Sequence, residues 1–219
     1  MNLEKIIERF RKETLPQMDT NVIDTLAKGI EDLKIRKIEN DALKVGDKMP
    51  SFILPDANGK EISSDELLDN GTLIISFYRG GWCPYCNLEL RALQNLLPEF
   101  EKYNANLVAI SPEKPDNSLS TQEKNELKFP VLSDINNLVA KSMGLVFEVP
   151  KEVVDLSKKE FSLDLTEINE TADHELPIPA SYVVDTNGII QFAFVNPDYT
   201  KRAEPIDILN TIKITQNKI

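Results

Sequence analysis

Two thiols, Cys83 and Cys86, separated by Pro84 and Tyr85, are the only cysteines in a chain of 219 residues. A bridge between them would close too short a loop to constrain the unfolded chain, so the pair makes a poor structural staple. The spacing suits redox chemistry instead, with two sulfurs passing between a reduced and a bridged form. A structural zinc site needs four ligands, and with His174 the sole histidine a second ligand pair is missing. No metal and no other cofactor is expected, and His174 reads as a loop residue.

The surrounding stretch FYRGGWCPYCNLELRAL indicates how such a pair is delivered. An apolar strand ends at Tyr78, Gly80 and Gly81 allow a sharp turn, and a helix starts near Cys83 or Pro84 with Leu90, Leu93, Leu97 and Phe100 on its inner face. Both sulfurs then sit in the first helical turn, where free N–H groups and the positive end of the helix dipole favour thiolate over thiol. A thiol of pKa about 8.5 is only ~3% ionised at pH 7, and a depression to about 6 makes it ~90% ionised. That is a gain of roughly thirtyfold in attacking species, partly offset by lower intrinsic nucleophilicity. Positions i and i+3 of a helix bring their Cβ atoms to ~5–6 Å, near the ~3.5–4.5 Å of a disulfide, so a small adjustment makes or breaks the bond. Arg79, on the approach turn, is placed to stabilise a thiolate, although an arginine at a strand end is more often a solvated side chain. Trp82 is placed either to shield the sulfurs from water or to pack on the surface.

These residues need a scaffold, and the rest of the chain carries its pattern. Almost continuously apolar runs at Thr72–Tyr78, Asn106–Ser111 and Val131–Leu132 alternate with helical segments at Cys83–Tyr103, around Ser120–Leu127 and at Asn136–Met143. Such alternation predicts an α/β domain, a buried sheet with parallel crossovers and helices on both faces. Ahead of it, DANGKE is a turn between Phe52–Leu54 and Glu61–Ile62; behind it, Thr186-Asn187-Gly188 joins Ala180–Asp185 to Ile189–Val195 as a hairpin. A last helix runs from Pro205 to the C-terminus. Residues 1–43 form a helical extension to the main domain, 44–219. Leu3, Ile6, Ile7 and Phe10 share one face, and beyond Pro16 so do Ile23, Leu26, Ile30 and Leu33, with Asp19 or Thr20 as the cap. Packing on the main domain is the expected role of these helices, and a homodimer contact is the alternative. Residues 147–176 read as a helical or irregular insertion of no legible role.

Apolar residues at 41% and charged ones at 28% place the chain among globular proteins rather than disordered ones. With 25 Lys+Arg against 36 Asp+Glu, the net charge of −11 repels phosphate backbones and anionic lipid, so neither nucleic acid nor membrane is an expected partner. The charged start MNLEKIIERFRKE is unlike a secretion signal and no run approaches ~20 apolar residues, which together predict a cytoplasmic protein.

At the cysteine motif the sequence resembles thioredoxin-fold proteins, and more closely the alkyl hydroperoxide reductase/thiol-specific antioxidant (AhpC/TSA, peroxiredoxin) family. The likeness runs from about Leu43 to the C-terminus through VGDKMPSFILPDANGKEIS, ISFYRGGWCPYCNLELRAL, NLVAIS and YVVDTNGII, in the family's order. It implies a thioredoxin-like fold, a central mixed sheet flanked by helices. It also implies a thiol peroxidase that acts on a hydroperoxide substrate, with thioredoxin or a similar dithiol as reductant. Laid on the family pattern Pro-x-x-x-Thr-x-x-Cys, Cys86 takes the peroxidatic place, Cys83 stands for the threonine and Arg79 for the proline, while the family's later arginine falls on Pro179. Cys-Pro-Tyr-Cys after a tryptophan, with Pro179 leading into ASYVVD, is similar to thioredoxin-type disulfide reductases, in which a cis proline faces the redox pair. Pro179 is accordingly the candidate cis residue. LPIPASYVVD and DYTKRAEP resemble a peroxiredoxin-like subgroup with this thioredoxin-style motif. The resemblance implies two mechanisms. Either Cys86 attacks the hydroperoxide and Cys83 condenses with its sulfenic acid, or Cys83, the more exposed, attacks a disulfide and Cys86 resolves the mixed disulfide. A non-catalytic redox-sensing or interaction module on the same fold is the third reading.

Overall fold

A sheet covered on both faces needs strands that are apolar on both faces, and residues 72–77 meet this requirement, since every one of them is buried. Successive side chains then enter opposite cores: Leu73, Ile75 and Phe77 join one, Ile74 the other, together with Tyr78, Cys83 and Cys86. The computed structural model describes residues 2–216, so Met1 and the expected run of the last helix through 217–219 lie outside the described residues. In chain order the elements are α1 (Leu3–Thr14), α2 (Thr20–Arg36), β1 (Ile53–Pro55), β2 (Glu61–Ser63), α3 (Ser64–Asp69), β3 (Thr72–Phe77), α4 (Pro84–Glu101), β4 (Ala105–Ser111), α5 (Pro115–Lys124), β5 (Val131–Ser133), α6 (Leu138–Ser142), β6 (Val146–Glu148), α7 (Lys151–Phe161), α8 (Leu165–Asn169), β7 (Glu175–Pro177), β8 (Ala180–Val184), β9 (Ile190–Val195) and α9 (Pro205–Gln216).

The main sheet has the order β5-β4-β3-β8-β9. Strands β3, β4 and β5 run parallel, β8 is antiparallel to β3 and β9 to β8, which makes the sheet mixed, as the family resemblance implies. Leu90, Leu93 and Phe100 of α4, with Ile208 and Ile212 of α9, cover one face; Leu33, Ala140, Val154 and Leu165 belong to the core of the other. No helix among the described residues is long and apolar enough to cross a membrane.

Four local expectations change. The helix foreseen around Ser120–Leu127 lies earlier, at Pro115–Lys124, because Pro115 fits a first helical turn. The helix foreseen from Asn136 starts at Leu138, since Asn136 and Asn137 both adopt the left-handed backbone that asparagine tolerates. Residues 147–176 are ordered by pairing of β6 with β7, which brackets α7 and α8. Finally, Pro179 is trans, as no cis peptide bond occurs among the described residues. The Ile178 N–H donates to the Leu145 carbonyl at 2.7 Å and Ala180 already pairs in the sheet, so the chain passes through Pro179 extended, in the isomer that X-Pro bonds favour.

Helix α1 packs within the chain. Leu3 and Ile7 pack on Tyr85, Leu88 and Ala92 of α4, and the Phe10 ring meets Tyr85 edge-on at 5.4 Å. Its N-terminus is closed by Glu204, whose carboxylate oxygens accept the N–H groups of Leu3 at 2.9 Å and Glu4 at 2.7 Å. Helix α2 crosses α7 with Gly29 against Val153. Replacing Glu204 by Ala removes two acceptors from the helix start and should cost about 1 kcal/mol of docking. Limited proteolysis should then cut within α1 sooner than in the wild type; equal cutting rates would contradict the capping role.

Candidate active site

The turn between β3 and α4 is built so tightly that only glycine fits. Gly80 has φ +152°, and a Cβ there would lie 2.2 Å from the Trp82 Nε1; at Gly81 a Cβ would lie 2.0 Å from the Thr121 Oγ1. Gly81 is held on both sides: its N–H donates to the Glu113 Oε2 at 2.8 Å, and its carbonyl accepts from the Asn87 Nδ2 at 2.8 Å. Asn87 is fixed in turn by Asn125, whose Nδ2 donates to its Oδ1 at 2.9 Å. The chain then enters α4 with Cys83 as the N-cap residue and Pro84 in the first turn, and the Cys83 carbonyl accepts from the Asn87 N–H at 3.1 Å. Cys86 follows in the same turn, so the helix start expected at Cys83 or Pro84 is where it was placed.

Two guanidinium groups meet the two sulfurs. Arg79 Nη2 lies 3.2 Å from the Cys83 Sγ, and Arg202 Nη2 lies 3.3 Å from the Cys86 Sγ. Burial by itself pushes the Cys83 thiol up, but the Cys86 thiol hydrogen-bonded to it and the charges of Arg79 and Arg202 outweigh burial and hold Cys83 well below the usual thiol range. Burial pushes Cys86 up, and its bond to Cys83 and the negative charge there push it further. Of the two sulfurs Cys83 is thus the one these surroundings favour as thiolate, with the Cys86 thiol as its hydrogen-bond donor. Arg202 is anchored by Glu89, with Nε and Oε2 2.6 Å apart and both side chains almost fully buried, and Glu89 Oε1 accepts from the Ser181 hydroxyl at 2.9 Å. Arg79 lies over the Tyr199 ring at 3.8 Å and 5.0 Å from the Trp82 ring centroid.

Of the residues singled out from sequence, Cys83, Cys86, Arg79 and Trp82 come together here. Arg79 is bonded to sulfur rather than solvated, and Trp82 packs against both cores. Pro179 is buried at the entry to β8, without the cis bond expected of it. Cys83 is not the more exposed thiol: both cysteines are 0% exposed, with Arg79 and Arg202 against them and Tyr199 against Arg79. Arg202, Glu89, Tyr199 and Glu113 escaped the sequence reading. Glu89 did leave a signal, an acid next to Leu90 on the stretch of α4 whose inner face is apolar. Arg202 and Tyr199 lie within DYTKRAEP, noted only as a resemblance. A cleft of about 270 Å3 opens beside the turn, lined by Gly81, Trp82, Glu113, Asn117, Thr121 and Lys124 among others. A larger one, about 410 Å3, lies away from the sulfurs, between residues 39–45 and Ala193 and Val195 of β9.

Residues 45–193 match the family model described as AhpC/TSA family. Peroxiredoxin Bcp of Escherichia coli is 30% identical over 103 residues, 47% of this chain and 65% of the relative. A Mycobacterium tuberculosis protein named as a peroxiredoxin is 28% identical over 138 residues, covering 56% of this chain and 90% of its own length. Among solved structures, peroxidoxin BcpB of Mycobacterium tuberculosis superposes with a TM-score of 0.63 at 22% identity, over 78% of this chain and 97% of that one. Xanthomonas campestris peroxiredoxin Q does so at 0.58 and 16% identity, over 74% and 90%.

Replacing Arg79 by Met removes a cation from the Cys83 sulfur, so the thiolate should form at higher pH, by about 1–3 units. The pH dependence of Cys83 alkylation, mapped by mass spectrometry, reads this shift, and an unmoved profile would show that Arg79 does not stabilise the charge. Replacing Tyr199 by Ala should expose the same sulfur and speed its reaction with an aromatic disulfide reagent at fixed pH; a wild-type rate would show that Tyr199 is not the cover.

Proposed function

This chain belongs to the AhpC/TSA family and is a peroxiredoxin-like thiol peroxidase, an oxidoreductase; from that premise we propose that Cys83 and Cys86 carry its reaction as one dithiol–disulfide couple. The observation that supports this most is that each sulfur has its own guanidinium, Arg79 on Cys83 and Arg202 on Cys86. Two thiols of a packed core would need neither.

In this reading the resting pair holds one negative charge and one proton. Transfer of the proton from Cys86 to Cys83 makes Cys86, in the family's peroxidatic register, the attacking thiolate beside Arg202. Its sulfur attacks the O–O bond of a hydroperoxide, an S–O bond forms, and the leaving oxygen takes a proton to depart as alcohol or water. Arg202, fixed by Glu89, supplies the positive charge for that oxygen, in a chain that has Cys83 where the family has threonine and Pro179 where it has its later arginine. Cys83 then attacks the sulfenic sulfur, water leaves and the disulfide closes. A dithiol, thioredoxin in our proposal, reopens it by exchange through a mixed disulfide. Arg79 and Trp82 support the pair, and Pro179 contributes only the buried entry to β8. In this reading substrate reaches the buried sulfurs through a movement of the side chains packed around them. The α1 face is occupied within the chain, and a homodimer would use another surface. The cytoplasm, where thiols are kept reduced, is the setting proposed for this cycle.

The hydrogen bond from Arg79 to the Cys83 sulfur, with the charges that lower that thiol, favours a second reading, attack by Cys83 on a disulfide with Cys86 resolving. The two readings separate experimentally. Reduced protein given hydrogen peroxide or an organic hydroperoxide should drive thioredoxin-coupled NADPH oxidation much faster than free cysteine does, and a rate no faster removes the peroxidase. With Cys83→Ser, peroxide should leave a trappable sulfenic acid on Cys86. If Cys86→Ser instead traps a mixed disulfide on Cys83 and no sulfenic acid is found in the first variant, disulfide exchange is the activity.

A further inference from the structure

The site contains two buried acids, and only one of them has a cation. Glu89 is paired with Arg202. Glu113, 3% exposed just beyond β4, forms no ion pair among the described residues, yet its carboxylate accepts the Gly81 N–H at 2.8 Å and so holds the turn that presents Cys83. The groups facing it are the Tyr78 hydroxyl from the end of β3, Cys83 and the Trp82 ring from the turn, and the Thr121 hydroxyl from α5; the exposed Lys124 of α5 lines the same cleft. Through this cleft the carboxyl has a route to solvent that the sulfurs lack.

We propose that Glu113 is a positioning residue of the redox turn, holding the Gly81 N–H and setting, by its own charge, the reactivity of the Cys83 sulfur. Burial raises its carboxyl to about 7, with the Gly81 N–H opposing and the Cys83 charge adding to the rise. It therefore changes charge near neutral pH. A neutral Glu113 leaves the Cys83 thiolate undisturbed. An ionised one repels it, which raises the sulfur's affinity for a proton and with it its nucleophilicity. The coupling is mutual, so opening the disulfide, which takes two electrons and one proton to give thiolate and thiol, also draws part of a further proton onto Glu113. The inference rests on the dithiol–disulfide reading of the pair, and its test keeps the two apart.

Glu113→Gln keeps an oxygen acceptor for the Gly81 N–H and cannot ionise. In wild type the alkylation rate of the Cys83 thiolate should climb about threefold as pH rises through about 7, the gain expected for a one-unit rise in sulfur basicity. In the Gln variant the rate should stay flat over that interval and match wild type at about pH 5. Equilibration with glutathione should show the same bend in wild type only, and at about pH 8 the variant should favour the reduced form by about threefold to tenfold. A group that only braced the turn would shift both curves evenly. Coincident profiles for the two proteins, or a wild-type profile with no step near neutrality, would overturn the inference, and the wild-type profile alone suffices if the variant does not fold. A wild type with the alkylation step but no reversible couple would sink the functional reading and leave the role of Glu113 standing.

Discussion

A thiolate cannot be kept away from water unless something fixed supplies the positive charge that water would have screened. An ion left unpaired in a protein interior costs several kcal/mol, and it avoids that cost by taking or losing a proton. Cys83 and Cys86 are both fully buried, so an ionised sulfur in the reduced pair depends on Arg79 and Arg202, which lie against the two thiols. The arginines bring the same difficulty with them. Arg202 is offset by Glu89, which is tied to the sheet through Ser181, whereas Arg79 has its thiolate and two aromatic faces. A Cys83 thiolate and the Glu89 carboxylate would thus face two cations in one dry volume. Glu113 has no cation beside it among the described residues, and burial raises its carboxyl to about 7.

The backbone follows from the same requirement. To bring a strand-end arginine and a helix-start cysteine together, the chain must reverse within a few residues, and the crowding at Gly80 and Gly81 shows how little room remains. Bonds from Glu113 and Asn87 fix both polar groups of Gly81, so the first turn of α4 is set before any side chain of the pair is considered. The helix dipole then adds to the two guanidinium groups at the place where the negative charge rests.

What sequence reveals here depends on whether a signal is local. Strand β3 and helix α4 were legible because burial imposes a period on consecutive residues, and the Gly-Gly turn and the cysteine spacing are contiguous. Arg79 was legible as a candidate because it lies four residues from its sulfur. Arg202 lies 116 residues from Cys86, and no pattern in one sequence joins the two; only the fold, by returning the chain after β9 over the start of α4, does so. The burial of Cys83 is equally invisible to local pattern, since it depends on how the whole domain packs. Pro179 was misjudged because its neighbourhood resembles a thioredoxin-type turn, while the observed chain is already extended by the contacts of Ile178 and Ala180.

The helical extension, whose role composition left open, is connected to the chemistry through aromatic rings. Phe10 of α1 meets Tyr85, the residue between the cysteines' proline and Cys86; Tyr85 meets Tyr199 at 5.8 Å; and Tyr199 carries Arg79 on its face. The cover of the sulfurs is therefore held from two directions, by α1 through the rings and by the thiolate through Arg79. In the proposed cycle, bridging the sulfurs would remove the second hold, because a disulfide has no charge to offer a guanidinium. Arg79 then keeps only its rings, each worth about 0.5–2 kcal/mol. In the proposed cycle the oxidised form, which a dithiol reductant would have to reach, would thus be the form in which Arg79 and Tyr199 are least firmly held, and the reduced form the one in which they are held closest to the sulfurs.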